Sequence, residues 1–137
     1  MKQLDFLPRL QAVVEAVNLP SPIDKVEIGM LTESPSIALM PLAGGEEIVY
    51  YSGKRQKTLN VSVMMKHPSD AACFNTLTTI YRTLENLSRL DSNNDSFSFG
   101  KATTANLSHK VGVDEKNLNV WNSDFKFEIL IEKGVIE

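Results

Sequence analysis

Thr58-Leu59-Asn60-Val61-Ser62-Val63-Met64-Met65-Lys66, residues 58–66, alternates with a period of two. Leu59, Val61, Val63 and Met65 share one phase; Thr58, Asn60, Ser62 and Met64 share the other. Successive side chains of a strand point to opposite sides of its sheet, so the stretch predicts a strand with one face buried and one more exposed. A sheet with one apolar face must be covered by another layer, and the flanking sequence offers two amphipathic helices to cover it.

Downstream, His67-Pro68-Ser69-Asp70 opens the first of these. Proline suits a first helical position, and Ser69 or Asp70 supplies capping oxygen near the positive end of the helix dipole. The apolar stripe is read as Phe74, Leu77, Tyr81, Leu84 and Leu87, with Ile80 beside it and Glu85 and Arg89 four apart as a supporting pair. Asp91-Ser92-Asn93-Asn94-Asp95 ends it in a turn. The second helix lies at the amino end, where Phe6, Leu10, Val13 and Val17 recur at helical spacing with Leu7 and Val14 beside them. Asp5 is its candidate cap, Pro8 sits in its first turn, and Leu19-Pro20-Ser21-Pro22 stops it.

Four further strands are predicted. Val26, Ile28 and Met30 alternate with Glu27 and Gly29. Ile37-Ala38-Leu39-Met40 is apolar on both faces and belongs centrally in a sheet. Thr32-Glu33-Ser34-Pro35 between them is turn chemistry, so the two are expected to form a hairpin. Phe97 and Phe99 share a phase near the carboxyl end, as do Trp121, Phe125, Phe127, Ile129 and Ile131. The resulting order is helix, strand, strand, strand, helix, strand, strand. The expected fold is α+β: a mostly antiparallel sheet of about five strands with two helices on one face, residues 1–137 forming one domain.

Two stretches remain as long linkers, Pro41 to about Arg55 and about Thr104 to Asn119. Structureless loops of this length are uncommon in a compact domain and are usually functional or disordered. The first carries Ile48, Val49, Tyr50 and Tyr51 between Gly44-Gly45 and Ser52-Gly53, and the basic run Lys54-Arg55-Gln56-Lys57 follows. Aromatic side chains held out on a loop are costly unless a partner covers them. Ile48, Val49, Tyr50, Tyr51, Lys54 and Arg55 are therefore the candidate interface residues.

Composition narrows the function classes. The chain has 137 residues, 42% hydrophobic and 23% charged, which suits a globular domain folding without metal or disulfides. A net charge of −3 argues against a free-standing nucleic-acid binder, which is usually basic. One cysteine, Cys73, permits no intrachain disulfide. The amino-terminal segment lacks the apolar core of a signal peptide, and no stretch approaches the roughly 20 apolar residues that span a bilayer; an intracellular, non-membrane location is expected.

The search for a reactive centre is thin. His67 and His109 are far apart, and one cysteine with two histidines does not make a zinc site. Cys73 lies six residues after His67 and reads as a packed thiol rather than a nucleophile. Gly44-Gly45-Glu46-Glu47 lacks the lysine and hydroxyl of a phosphate loop and reads as a flexible hinge. Glu46 and Glu47, being adjacent, diverge and do not form a catalytic pair. No catalytic residue, metal or cofactor is expected.

The ordered set of an amphipathic amino-terminal helix, Ser36-Ile37-Ala38-Leu39-Met40-Pro41, Tyr51-Ser52-Gly53-Lys54-Arg55 before an alternating strand, Phe74-Asn75-Thr76-Leu77, Leu84-Glu85-Asn86-Leu87, Asp95-Ser96-Phe97-Ser98-Phe99 and a closing aromatic strand resembles the small minor capsid proteins of phages and prophages of Gram-positive bacteria. These are similar to the tail terminators of long-tailed phages. The likeness spans nearly the whole chain. It departs at Ser52-Gly53, where the family has Asp-Gly, and at Ala105, where proline often follows the paired threonines.

The resemblance implies a non-enzymatic subunit with no cofactor. It would form a ring, a homohexamer, that caps the finished tail tube and offers a surface for head joining. Its partners would be copies of itself, the major tail tube protein and head–tail connector proteins, with DNA passing through the lumen unread and no membrane involved. The location implied is the virion tail, after assembly in the host cytoplasm. A connector of similar fold, a small cellular ligand-binding module and a Cys73–His67 enzyme are the competing readings.

Overall fold

In the computed structural model, which describes residues 2–137, the alternating stretch lies inside a strand of thirteen residues, Arg55–His67. The elements in chain order are α1 (Phe6–Glu15), β1 (Glu27–Ile28), β2 (Ser36–Leu42), β3 (Glu47–Val49), β4 (Arg55–His67), α2 (Asp70–Glu85), β5 (Phe97–Val113) and β6 (Asn119–Ile131). They build one six-stranded sheet in the order β1-β2-β4-β6-β5, with β3 paired to the first residues of β4.

The α+β class and the two helices match the expectation, while the sheet differs from it in three places. It has six strands, not about five, and it is mixed: β1 runs parallel to β2, Glu27 beside Ala38 and Ile28 beside Leu39. The expected hairpin does not form because the chain reverses twice between them. Gly29, at φ +108°, turns away from β1 while its N–H still bonds the Leu39 carbonyl. The second reversal is tied by the Thr32 N–H donating to Ser36 Oγ at 3.1 Å.

The stretch from Pro41 to Arg55 is also not one loop. β2 continues through Pro41-Leu42, and β3 then pairs with β4. The ladder bonds of β4 fall on its even residues on this side (Thr58 N–H to the Glu46 carbonyl, 2.9 Å), which puts the missing N–H of Pro41 on the open side. Proline is tolerated in a sheet at such a position.

Finally, the expected linker from Thr104 is strand as far as Val113. Only residues 114–118 turn, with the Asp114 carboxylate accepting from the backbone N–H groups of Lys116 and Leu118.

Both helices cover one face of the sheet. Phe6, Leu10 and Val14 of α1 and Cys73, Leu77, Ile80 and Leu84 of α2 join Val61, Val63, Met65, Phe125, Phe127, Ile129 and Ile131 in one core. Phe6 stands edge-on to Phe97 and Phe127, ring centres 5.5 and 5.3 Å away. The α2 stripe is rotated from the one expected. Phe74 is half exposed and leans edge-on against Trp121, while Cys73 and Thr76 occupy the buried positions. The Glu85–Arg89 pair does not exist, because α2 stops at Glu85. That carboxylate instead accepts from Thr104, and Arg89 pairs with Asp91.

Ser69 caps α2, its Oγ accepting from the Ala72 N–H at 3.2 Å. Asp5 makes no such cap for α1. Its carboxylate ties the 92–96 turn instead, accepting from Ser92 Oγ (2.7 Å), Ser96 Oγ (2.8 Å) and the Asn93 N–H (2.7 Å). Burial alone would raise its pKa; the bonds from Ser92, Asn93 and Ser96 outweigh burial and hold it below the ordinary aspartate range. A folded pKa below the unfolded one stabilises above the unfolded value, and that contribution is lost as pH falls through the folded pKa. Asp5→Ala is expected to cost about 1–2 kcal/mol at neutral pH. It should also flatten the loss of stability below about pH 4, read from denaturant unfolding at a series of pH values.

Candidate functional site

The candidate interface residues fall on the β3–β4 hairpin. Tyr50 and Lys54 close it, the Tyr50 N–H bonding the Lys54 carbonyl at 2.9 Å, and the Gly53 N–H bonds the Tyr50 carbonyl at 2.9 Å. Gly53 has φ +89°, the left-handed position that follows the turn in a three-residue hairpin loop and that favours glycine. The hairpin holds four consecutive large side chains outside the core. Ile48 is 51% and Val49 65% exposed, Tyr50 is partly exposed, and Tyr51, at the tip, is fully exposed.

The basic run behind the tip braces the hairpin. Lys54 Nζ lies 3.3 Å from the Glu132 carboxylate. Arg55 pairs with the Glu137 carboxylate and with Glu47 at 3.8 Å, and donates from Nη2 to the Val135 carbonyl at 2.9 Å. Lys57 reaches the other Glu137 oxygen at 2.6 Å, and the Tyr50 hydroxyl donates to Gln56 Oε1 at 2.7 Å. The structure thus brings Ile48, Val49, Tyr50 and Tyr51 together on one projecting edge and turns Lys54 and Arg55 onto carboxylates near the end of the chain.

The Gly44-Gly45 step packs against the sheet and does not act as a free hinge. Both residues have φ +99°, and a Cβ at Gly45 would stand 2.0 Å from the Thr58 carbonyl oxygen. Gly45→Ala is expected to push the loop off β4 and break the Thr58–Glu46 backbone bond, destabilising by more than about 1 kcal/mol. Thermal unfolding and amide exchange at Thr58 would show it. Beside this loop the helix-free face of the sheet forms a polar cleft of about 490 Å³ lined by Glu46, Thr58, Asn60, Lys101, Lys126 and Glu128. A more apolar hollow of about 470 Å³ lies between α1 and the sheet, walled by Leu4, Leu7, Ile28, Leu42 and Leu59.

His67 and Cys73 have separate local roles. Nδ1 of His67 accepts from the Ser69 N–H at 3.0 Å, and Nε2 donates to the Ser21 carbonyl at 2.9 Å. That orients the approach to α2. Cys73 is fully buried, and burial followed by the nearby Asp70 charge pushes its thiol up to about 11. A thiol in that state is a poor nucleophile at neutral pH. His109 sits on β5, with Nδ1 2.9 Å from the Leu107 carbonyl. Among the described residues no three or more of His, Cys, Asp and Glu group to hold a metal ion. No helix among them is long and apolar enough to cross a membrane.

One exposed apolar cluster was not expected. Leu107, Val111 and Val113, on the distal half of β5, are 63%, 58% and 55% exposed. Sequence reasoning passes over them because residues 104–119 read as a linker. The only local signal is the two valines and one leucine recurring in an otherwise polar run.

No family model matches this chain, and no curated protein matches it. Among solved structures, a chain from the virion of a native gene transfer agent particle is similar, with a TM-score of 0.54 and 11% identity over 88% of this chain and 84% of that one. At that identity the likeness is one of fold.

Proposed function

We propose that this chain is a structural subunit of a phage virion, a tail terminator that closes as a homohexameric ring on the completed tail tube and presents a surface for head joining. The observation that carries this reading is the β3–β4 hairpin. Four consecutive apolar and aromatic residues are held outside the core by ion pairs behind them, and Tyr is a favoured anchor at protein interfaces. The shared fold with a chain of a gene transfer agent virion supports a place in a phage-like particle.

Mechanistically, a terminator needs no reacting group. It needs one face that fits the last tube ring and, around the ring, two different faces that fit each other, since a cyclic assembly is heterologous and closes by rotation. Binding to the tube end removes the site that the next tube subunit would occupy, and polymerisation stops.

The test is to polymerise the major tail tube protein of the same phage with and without the purified chain and to measure tube lengths by electron microscopy. Capped tubes of limited length are expected with it. Length distributions unchanged at any ratio of chain to tube protein would overturn the reading.

A further inference from the structure

The hairpin edge supplies one face of a ring contact, and the sheet itself carries a second. One side of the sheet ends at β5; the opposite side ends at β1, β2 and, beyond Leu42, at β3. On β3 the hydrogen-bonded pairs are Glu46 with Thr58 and Tyr50 with Lys54. Alternation of an antiparallel ladder therefore directs the backbone groups of Ile48 toward β4 and those of Glu47 and Val49 outward. An unpaired edge of this kind is a template for another strand. On β5 the N–H of Thr104 is taken by the Glu85 carboxylate at 3.1 Å, which plugs the middle of the edge. The distal stretch beyond it carries Leu107, Val111 and Val113.

Charge favours one of the possible pairings. Residues 42–53 contain Glu46 and Glu47 and no cation, and the distal stretch 105–113 contains His109 and Lys110 and no acid. Glu47 has Arg55 at 3.8 Å and Lys110 has Asp70 at 3.2 Å as partly exposed partners in the same subunit, and among the described residues Glu46 has no ion pair. Two hairpin edges facing each other would oppose glutamates, and two β5 edges would oppose lysines. A hairpin edge on a β5 edge matches opposite charges and apolar with apolar. The two edges bound opposite sides of one sheet, so this contact runs head to tail and repeats.

Resting on the ring assembly proposed above, we infer that the distal β5 edge, at Leu107, Val111 and Val113, receives the β3 hairpin edge of a second copy of this chain.

Disulfide trapping tests it on the full chain, because buried Cys73 does not compete. Val49→Cys, Val111→Cys and the double variant are prepared, with Leu107→Cys and Val113→Cys beside them to allow for register. Circular dichroism confirms that each folds. Under mild oxidation, an equimolar mixture of Val49→Cys with one of the β5 variants is expected to give a cross-linked dimer, each single variant alone none, and the double variant a ladder of multimers. As a second measurement, E46K/E47K and K110E should each lose self-association and regain it when mixed.

Cross-linking by a single variant on its own would mean a two-fold contact and would overturn the inference. So would an absence of cross-links in every mixture while the native chain elutes as a ring, an outcome that leaves the assembly reading standing. A chain that stays monomeric both alone and on tail tubes would remove both.

Discussion

Phe127→Ala is expected to lower the free energy of unfolding by about 3–5 kcal/mol. The ring is fully buried in the second of the two long central strands, packed edge-on to Phe6 of α1 and 6.4 Å from Phe125. Truncation removes its transfer energy and leaves a cavity that β4 and β5, bonded on either side of β6, cannot close by moving. Set against the roughly 5–15 kcal/mol that stabilises a typical native protein, this is a large fraction. Urea unfolding would show a lower midpoint with an unchanged slope, the sign of lost stability in an otherwise similar fold. A loss below about 1 kcal/mol would mean that α1 is not seated on the sheet as described.

The double substitution Tyr50→Ala and Tyr51→Ala is expected to separate folding from assembly. Tyr51 touches little, and Tyr50 gives up one exposed hydrogen bond to Gln56. Unfolding should therefore shift by no more than about 1 kcal/mol. Truncating an aromatic anchor in an interface typically costs about 2 kcal/mol or more, which weakens a contact more than tenfold. Phage carrying the double variant should then give tails of uncontrolled length or tails without heads, counted by electron microscopy. Normal infectious particles would take the hairpin tip out of the mechanism.

The strands that organise the molecule were legible because burial writes itself into a regular alternation. Leu59 to Met65 and Trp121 to Ile131 each keep one phase along most of a strand, and the structure pairs those two strands residue for residue from Arg55–Ile131 to His67–Asn119. β5 was half hidden for the opposite reason. Register shifts between Phe99 and Lys101, Thr104 and Asn106, Asn106 and His109, and Lys110 and Gly112 break the period of two. A bulged strand carries no clean alternation to read.

β1 pairs through only two residues, too few to announce a direction, so its parallel course was out of reach. The rotation of α2 was missed because a large residue, Phe74, was read as core, whereas its ring packs sideways on Trp121 and leaves the tight positions to Cys73 and Thr76. The exposed run Ile48–Tyr51 was legible by its chemistry, as apolar bulk between glycine turns, although the sequence reads as a loop where the structure has a hairpin. Its proposed counterpart at Leu107, Val111 and Val113 was not, since the two-residue phase the three share is interrupted by His109 and is set in a run of threonine, asparagine and serine.

That β6 lies between β4 and β5 also governs when the sheet can be completed. In order of synthesis, β4 and α2 emerge well before the strand that must sit beside β4, and Arg55 waits for Ile131. Contacts so distant in sequence are slow to close, whereas the β5–β6 hairpin is local and forms quickly. Until that hairpin docks, the nascent chain carries a bare strand with its apolar row half paired, open to strands of neighbouring nascent chains. Conditions that slow the docking step are therefore expected to divert the product into aggregates, even where the finished domain would be stable.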